Sequence, residues 1–328
     1  MKIALIGATG LVGSIMLKIL EERNLTHNEI ILAASEKSVG KKLTIAGKDL
    51  SVVSVEDAIS LSPDFALFSA GSAVSLKYTP LFVQKGTVVI DNSSAWRNFD
   101  EIPLVVPQVN GDVIKFTDKI IANPNCSTIQ MVMALAPLHL KYRLKRVVVS
   151  TYQSVTGTGA KALNQLIQER KGESCEKAYP HPIDLNLFPH GGTFEPNGYT
   201  TEEMKLVNET RKILRAPQVQ ITATVVRVPV FGGHSEAINA EFENDFELEE
   251  VARLLKGFNG ITVLDNPNLN EYPMPLTAHE KDEVFVGRIR RDESQPKTLN
   301  LWCVADNLRK GAATNAVEIM QEIMTRKD

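Results

Sequence analysis

Residues 2–22 read "KIALIGATGLVGSIMLKILEE": an apolar run, a turn punctuated by Gly7, Gly10 and Gly13, and an amphipathic segment. The periodicity predicts a strand, a tight turn and a helix. The spacing G-x-x-G-x-x-G departs from the dinucleotide fingerprint G-x-G-x-x-G at its second glycine, but it meets the same physical demand. The glycines let the chain turn, let its backbone approach a pyrophosphate and let helix pack on strand, while the helix N-terminus faces the anion. Further apolar strands follow in "EIILAAS", "DFALFSAG", "TVVIDNSS" and "KIIANPN", with helical or loop segments between them. That rhythm predicts a Rossmann-type doubly wound parallel sheet over residues 1–125 that binds a dinucleotide.

The second strand ends in "AASEKSVGKK". The NAD-type pattern has an acidic residue there that bonds the ribose hydroxyls. Here Ser35 and Ser38 offer hydroxyls, and Lys37, Lys41 and Lys42 offer positive charge suited to a 2′-phosphate. The expectation is NADP, with Glu36 turned outward among the lysines.

The chain has 328 residues, 43% of them hydrophobic and 23% charged, enough for two domains with full cores. Thirty-six basic against 39 acidic residues, a formal charge of -3, argue against nucleic acid or an anionic membrane as partner. No stretch reaches the length of a membrane span and no basic leader precedes the first strand, so the expected location is the cytoplasm. Cys126, Cys175 and Cys303 are too scattered for a disulfide framework or a metal site.

From residue 127 the pattern changes. "RVVVSTYQSV", "ITATVVRVPVF", "HSEAINAEFE", "EVFVGRIRRD" and "TLNLWCVAD" read as strands, several alternating in polarity, and predict an α+β domain over 126–306 with a largely antiparallel sheet. Its surplus of strands leaves a sheet face for a subunit contact, hence a homodimer. "HPIDLNLFPHGGTFEPNGYT" reads as a long irregular excursion, a lid or an inter-subunit arm. The last stretch, 307–328, carries Ala312, Ala316, Ile319, Met320 and Ile323 at helical spacing and is expected to complete the nucleotide domain.

Chemistry concentrates in a few places. In "NPNCST", Cys126 follows a strand and an Asn-Pro-Asn turn and opens an apolar helix, where free N–H groups and the helix dipole favour a thiolate. A thiol nucleophile needs a partner that handles protons and groups that hold its substrate. Gln153 in "STYQSVTGTGA" stands at a strand end before a Gly/Thr loop. In "RVPVFGGHSEA", His234 follows two glycines, seven residues after Arg227, a pairing of acid/base and carboxylate fork.

Together "GATGLVG", "NPNCST", "TYQSVTGTGA", "EEMK", "RVPVFGGHSEA" and "DNLRKGAA" resemble, in order and spacing over nearly the whole chain, bacterial aspartate-β-semialdehyde dehydrogenase. The resemblance implies an NADP-dependent oxidoreductase that converts L-aspartyl-4-phosphate to L-aspartate-4-semialdehyde and phosphate, on the route to lysine, methionine, threonine and diaminopimelate. It further implies Cys126 as nucleophile, His234 as acid/base and Gln153 orienting the intermediate. Arg227 would grip the substrate carboxylate and Glu202 its ammonium, while Lys205, with Arg97 of "SSAWRN", would bind phosphate. The cofactor would meet Gly7, Thr9, Gly10, Leu11, Val12, Gly13, Ser35 and Ser38, together with Gly157 and Asn307. N-acetyl-γ-glutamyl-phosphate reductase is the nearest rival, but its cysteine turn reads NPGCYPT. A non-catalytic nucleotide sensor on the same scaffold would be expected to lack the cysteine or the histidine.

Overall fold

The computed structural model describes residues 1–326, so the last two residues of the helical stretch expected over 307–328 lie outside the described residues. The chain divides into two compact units, Met1–Asn125 with the segment from Ala312 onward, and Cys126–Gly311.

The first unit is built on β1 (Lys2–Ile6), β2 (Glu29–Ala33), β5 (Phe65–Phe68), β6 (Val88–Asp91) and β7 (Ile120–Ala122), all parallel, in the order β2-β1-β5-β6-β7. A short antiparallel hairpin, β3 (Lys42–Ile45) and β4 (Lys48–Ser51), stands apart from this sheet. Parallel strands need crossovers, supplied by α1 (Leu11–Glu22), α2 (Val55–Ser60), α3 (Ser72–Gln84) and a single turn, α4 (Pro107–Asn110).

Successive residues of the central strands alternate between two cores. Ile3, Leu5, Phe65 and Leu67 join Met16 and Leu20 of α1 and Ile319 and Met320 of the C-terminal helix Thr314–Thr325. Ala4, Ile6, Ala66 and Phe68 join Val55 and Ile59 of α2 and Phe82 of α3. Both faces are covered, which is why these strands read as unbroken apolar runs.

The turn after β1 is dictated by space. Gly7 has φ +93°, and a Cβ there would collide with the carbonyl oxygen of Ser69, while one on Gly13 would collide with the carbonyl oxygen of Gly7. Gly10 N–H closes the turn on Gly7 O at 3.0 Å.

The second unit opens with α5 (Cys126–Tyr142), buried without a break from Ser127 to Leu138. Then come β8 (Leu144–Gln153), α6 (Ala160–Lys171), α7 (Thr201–Ile213), β9 (Gln220–Arg227), β10 (His234–Phe242), α8 (Leu248–Lys256), β11 (Ile261–Val263), the short α9 (Pro275–Ala278), β12 (Val284–Arg291) and β13 (Thr298–Ala305). The six strands form one mixed sheet, β11-β12-β13-β10-β8-β9. The β8/β9 and β11/β12 pairs are parallel and the three central pairings antiparallel.

Helices α5, α7 and α8 lie against this sheet, α5 on β10, β12 and β13, α7 on β9 and α8 on β11 and β12. The alternate side chains Val148, Ser150, Tyr152, Ala237, Asn239, Asn300 and Trp302 are only half-buried. Helix α7 starts at a capping box, in which the Thr200 hydroxyl accepts from Glu203 N–H and the Glu203 carboxylate from Thr200 N–H. The excursion between α6 and α7 is tied to α6 by carboxamide and carboxylate oxygens. Gln165 Oε1 accepts from Ala178 and Tyr179 N–H at 2.7 and 3.0 Å, and Glu169 Oε2 from Ile183 and Asp184 N–H at 2.8 and 3.0 Å.

Candidate active site

In the first unit the carboxyl ends of β1, β2 and β5 open onto a cavity of about 590 Å³. The order in which strands are added reverses between β1 and β5, the crevice where open α/β sheets hold their ligands. Gly7, Thr9, Gly10, Ser35 and Ser69 line this cavity. Leu11, Val12 and Gly13 form the first turn of α1 beside it. Ser38 is buried, its hydroxyl 3.4 Å from that of Thr9.

Glu36, expected to face outward, contributes to the cavity wall next to Ser35, and so does Lys77. A carboxylate at the end of β2 is the feature an NAD-type ribose site uses, and the Glu36 residue is itself exposed. Backbone N–H groups at the start of α1, the hydroxyls of Thr9, Ser35 and Ser69, and apolar walls from Val55, Ala70 and Val74 suit a dinucleotide. Arg97 also belongs to this unit. It is 7% exposed, and its Nη2 donates to Asn92 O at 2.6 Å. The loop that carries it is anchored by buried Asp91, which accepts from Ser75 Oγ, Ser93 Oγ and Ser93 N–H.

In the second unit the other candidates converge. Cys126 is the first residue of α5, and a Cβ added to Gly311 would lie 2.9 Å from its Cβ. Its neighbour Ser127 accepts from Gln153 Nε2 at 2.9 Å, which ties the end of β8 to the start of the thiol helix. One residue on, Ser154 N–H donates to His234 Nδ1 at 3.1 Å, with Ser154 Oγ 3.2 Å from the same atom. Arg227 Nη1 donates to Ser154 O at 2.8 Å. A Cβ on Gly157 would lie 2.9 Å from both Arg227 Nη1 and His234 Nε2, so the missing side chain is what lets these groups meet.

His234 is completely buried, and its pKa is pushed down to about 3, first by desolvation and then by the Arg227 charge, with Glu202 opposing. The imidazole is therefore neutral. Its Nε2 is a buried nitrogen without a hydrogen-bond partner among the described residues. Glu202 lies on the first turn of α7 and accepts from Lys205 Nζ at 2.6 Å.

Two residues outside the sequence-derived set complete the cluster. The Ser154 and Thr156 hydroxyls meet the Asn307 carboxamide, whose Oδ1 accepts from Ser154 Oγ at 2.9 Å and from Gly233 N–H at 3.2 Å. Asn307 Nδ2 donates to Thr156 Oγ1 at 3.1 Å. Ser154 lies inside the quoted "TYQSVTGTG", between the glutamine and the loop. Its role follows only from a strand register that brings residue 234 opposite the end of β8.

A parallel nucleotide-type sheet in one unit and, in the other, a helix-start thiol tied through Ser127 and the end of β8 to a buried neutral imidazole define a class, the thiol-dependent dehydrogenases. Two family profiles agree: "Semialdehyde dehydrogenase, NAD binding domain" matches residues 2–117, and "Semialdehyde dehydrogenase, dimerisation domain" matches residues 135–310. An aspartate-semialdehyde dehydrogenase from Aquifex aeolicus is 51% identical over 329 residues, 98% of this chain and 97% of that one. Among solved structures, aspartate semialdehyde dehydrogenase II from Vibrio cholerae complexed with ASA superposes with a TM-score of 0.94 at 42% identity, covering 99% of this chain and 98% of that one. The enzyme from Candida albicans with NADP superposes at 0.77 with 25% identity, covering 99% and 98%. The chain belongs to the aspartate-semialdehyde dehydrogenase family.

Proposed function

We propose that this protein carries out the NADPH-dependent reductive dephosphorylation of L-aspartyl-4-phosphate to L-aspartate-4-semialdehyde through a thioester on Cys126. The observation that carries the reading is the chain of contacts from the thiol helix to the imidazole, Ser127 to Gln153 and Ser154 to His234. The family's substrate chemistry fits these groups better than that of an N-acetylated, one-methylene-longer analogue. Glu202 supplies a carboxylate for a free ammonium, which the longer substrate lacks.

Cys126 attacks the acyl phosphate carbon, the oxyanion faces N–H groups at the start of α5, and collapse expels phosphate. Bound NADPH supplies a hydride to the thioester carbonyl. His234 takes the Cys126 thiol proton before attack and returns it to the sulfur as the carbon–sulfur bond breaks, a return favoured by the burial that disfavours the charged ring. Arg227 holds the α-carboxylate, and Arg97 and Lys205 hold the phosphate. Gln153, fixed by Ser127, orients the acyl oxygen. NADP is the expected cofactor, as in the Candida albicans relative, held by Gly7 to Gly13 and Ser35 in the first unit and by Gly157 and Asn307 in the second. The same reading makes the enzyme a homodimer through the half-buried face of the second unit's sheet. It also puts the enzyme in the cytoplasm, where thiols stay reduced.

The test is phosphate-dependent oxidation of aspartate semialdehyde, followed through NADPH absorbance and run beside N-acetylglutamate semialdehyde. Cys126→Ala should abolish turnover while NADP binding stays within a few-fold, and mass spectrometry of the wild type with acyl phosphate should find the adduct on Cys126. An adduct on Cys175 or Cys303, or preference for the acetylated substrate, would overturn the reading.

A further inference from the structure

Glu236 lies two residues beyond His234 on β10, so the two side chains point to the same face of the sheet. It is completely buried, and among the described residues neither of its carboxyl oxygens has a hydrogen-bond partner. The register sets Thr151 of β8 and Cys303 of β13 opposite it. Thr151 Oγ1 is buried and unpartnered, and the Cys303 thiol is directed at Gln130 O, 3.6 Å away. Desolvation drives the Glu236 carboxyl well above the usual carboxylate range, with the neighbouring Gln130 side chain opposing. Burial of this kind favours the neutral acid, which has one O–H to donate.

Gln130 is the natural acceptor. It sits on α5 one turn after Cys126 and is 1% exposed. Its Nε2 donates to the backbone oxygen of His234 at 3.3 Å. That contact fixes the amide, because in the flipped orientation two carbonyl oxygens would face each other. Gln130 Oε1 is then a buried acceptor without a donor, next to a carboxyl whose oxygens also have none. A proton on Glu236 gives Gln130 Oε1 a donor and engages one of the two carboxyl oxygens.

We propose that Glu236 is a positioning residue, a protonated carboxyl that donates to Gln130 Oε1 and, through the Gln130 amide, holds the His234 backbone in register with the first turn of the Cys126 helix. The inference rests on the reading of Cys126 and His234 as the reacting pair. It explains a carboxyl at the dry centre of a sheet where an apolar side chain would fill the space: the acid supplies a donor to Gln130 Oε1.

The experiment compares the intact wild type with Glu236→Leu and Glu236→Gln. Loss of the donor in Glu236→Leu should lower kcat by about tenfold or more, with KM for aspartate semialdehyde changed by less than about twofold. Glu236→Gln, whose NH₂ can donate to the same oxygen, should recover most of that loss. The infrared difference spectrum of wild type minus Glu236→Gln at neutral pH should contain the C=O stretch of a protonated carboxyl. A Glu236→Leu enzyme as fast as wild type, a Glu236→Gln enzyme as slow as Glu236→Leu, or the absence of that band would each overturn the proposal. If Glu236→Leu does not fold, Gln130→Met removes the acceptor instead and should show the same loss in kcat. The infrared measurement needs no substrate, so it remains decisive even if the wild type proves inactive on aspartate semialdehyde.

Discussion

Ser154 N–H donates to Nδ1 of His234 at 3.1 Å. A neutral imidazole that accepts at Nδ1 carries its proton on Nε2, the atom beside Gly157 and Arg227, so in the resting protein the ring offers a hydrogen-bond donor there. The ring titrates at about 3, against 6.5 for a free histidine. Between those values the unfolded chain binds a proton that the folded protein refuses. Stability contributed by this site is therefore intact above pH 6.5 and is lost as pH falls toward 3. The melting temperature of His234→Gln should fall less steeply over that window than that of the wild type. Parallel curves would contradict the assignment.

Gly157→Ala is the most economical test of the cleft's geometry. The new Cβ would come within 2.9 Å of Arg227 Nη1 and His234 Nε2, and both must move. A displacement of this kind costs on the order of 10²-fold in kcat/KM. The backbone there is not left-handed, so the melting temperature should shift little. A variant with wild-type kinetics would mean that Arg227 and His234 do not need their present spacing.

The phosphate and carboxylate roles separate kinetically. Arg97→Ala and Lys205→Ala should raise the apparent KM for phosphate in the oxidative direction, whereas Arg227→Ala should chiefly raise that for the semialdehyde. A loss of about 1.5–3 kcal/mol from one charge-assisted bond corresponds to roughly tenfold or more. Lys205→Ala carries a secondary effect, because it removes the 2.6 Å partner of Glu202. Equal damage to both substrates from every variant would make these roles structural.

Cofactor choice turns on Ser35 and Glu36, which share one wall of the cavity. Ser35→Asp should swing kcat/KM from NADP toward NAD, and Glu36→Gln should move it the other way, each by about tenfold. A Ser35→Asp enzyme with unchanged preference would show that this loop does not read the 2′-phosphate.

The parallel sheet was legible because its strands are buried on both faces and leave unbroken apolar runs at Ile3 to Ile6 and Phe65 to Phe68. Cys126 was legible because a turn and a helix start are local signals. Strand direction in the second unit was less so: polarity alternation is the same in parallel and antiparallel pairs, and it does not disclose that β8 and β9 run together. The helices α6 and α7 escaped a strand-centred reading because their exposed faces are rich in Lys, Glu and Gln. Polarity alternation does not disclose which face of β10 is covered, and α5 packs on the strand that carries the buried Glu236. The link from Ser154 to Asn307 spans 153 positions of chain and leaves no local trace.

The Asn307 carboxamide takes donors from the end of β8 and from the glycine turn that enters β10, and gives one to the loop between them. Segments around residues 154–156, 233 and 307, far apart in sequence, are thus tied together. On the timescale of hydrogen exchange the Gly233 amide should behave as core, although it belongs to a glycine-rich loop. Replacing Asn307 with Ala should then accelerate exchange at Gly233 and at Ser154 alike. The cleft's stiffness would be set by a side chain that comes late in the chain, so the histidine's surroundings become rigid only once the final strand of the second sheet is in place.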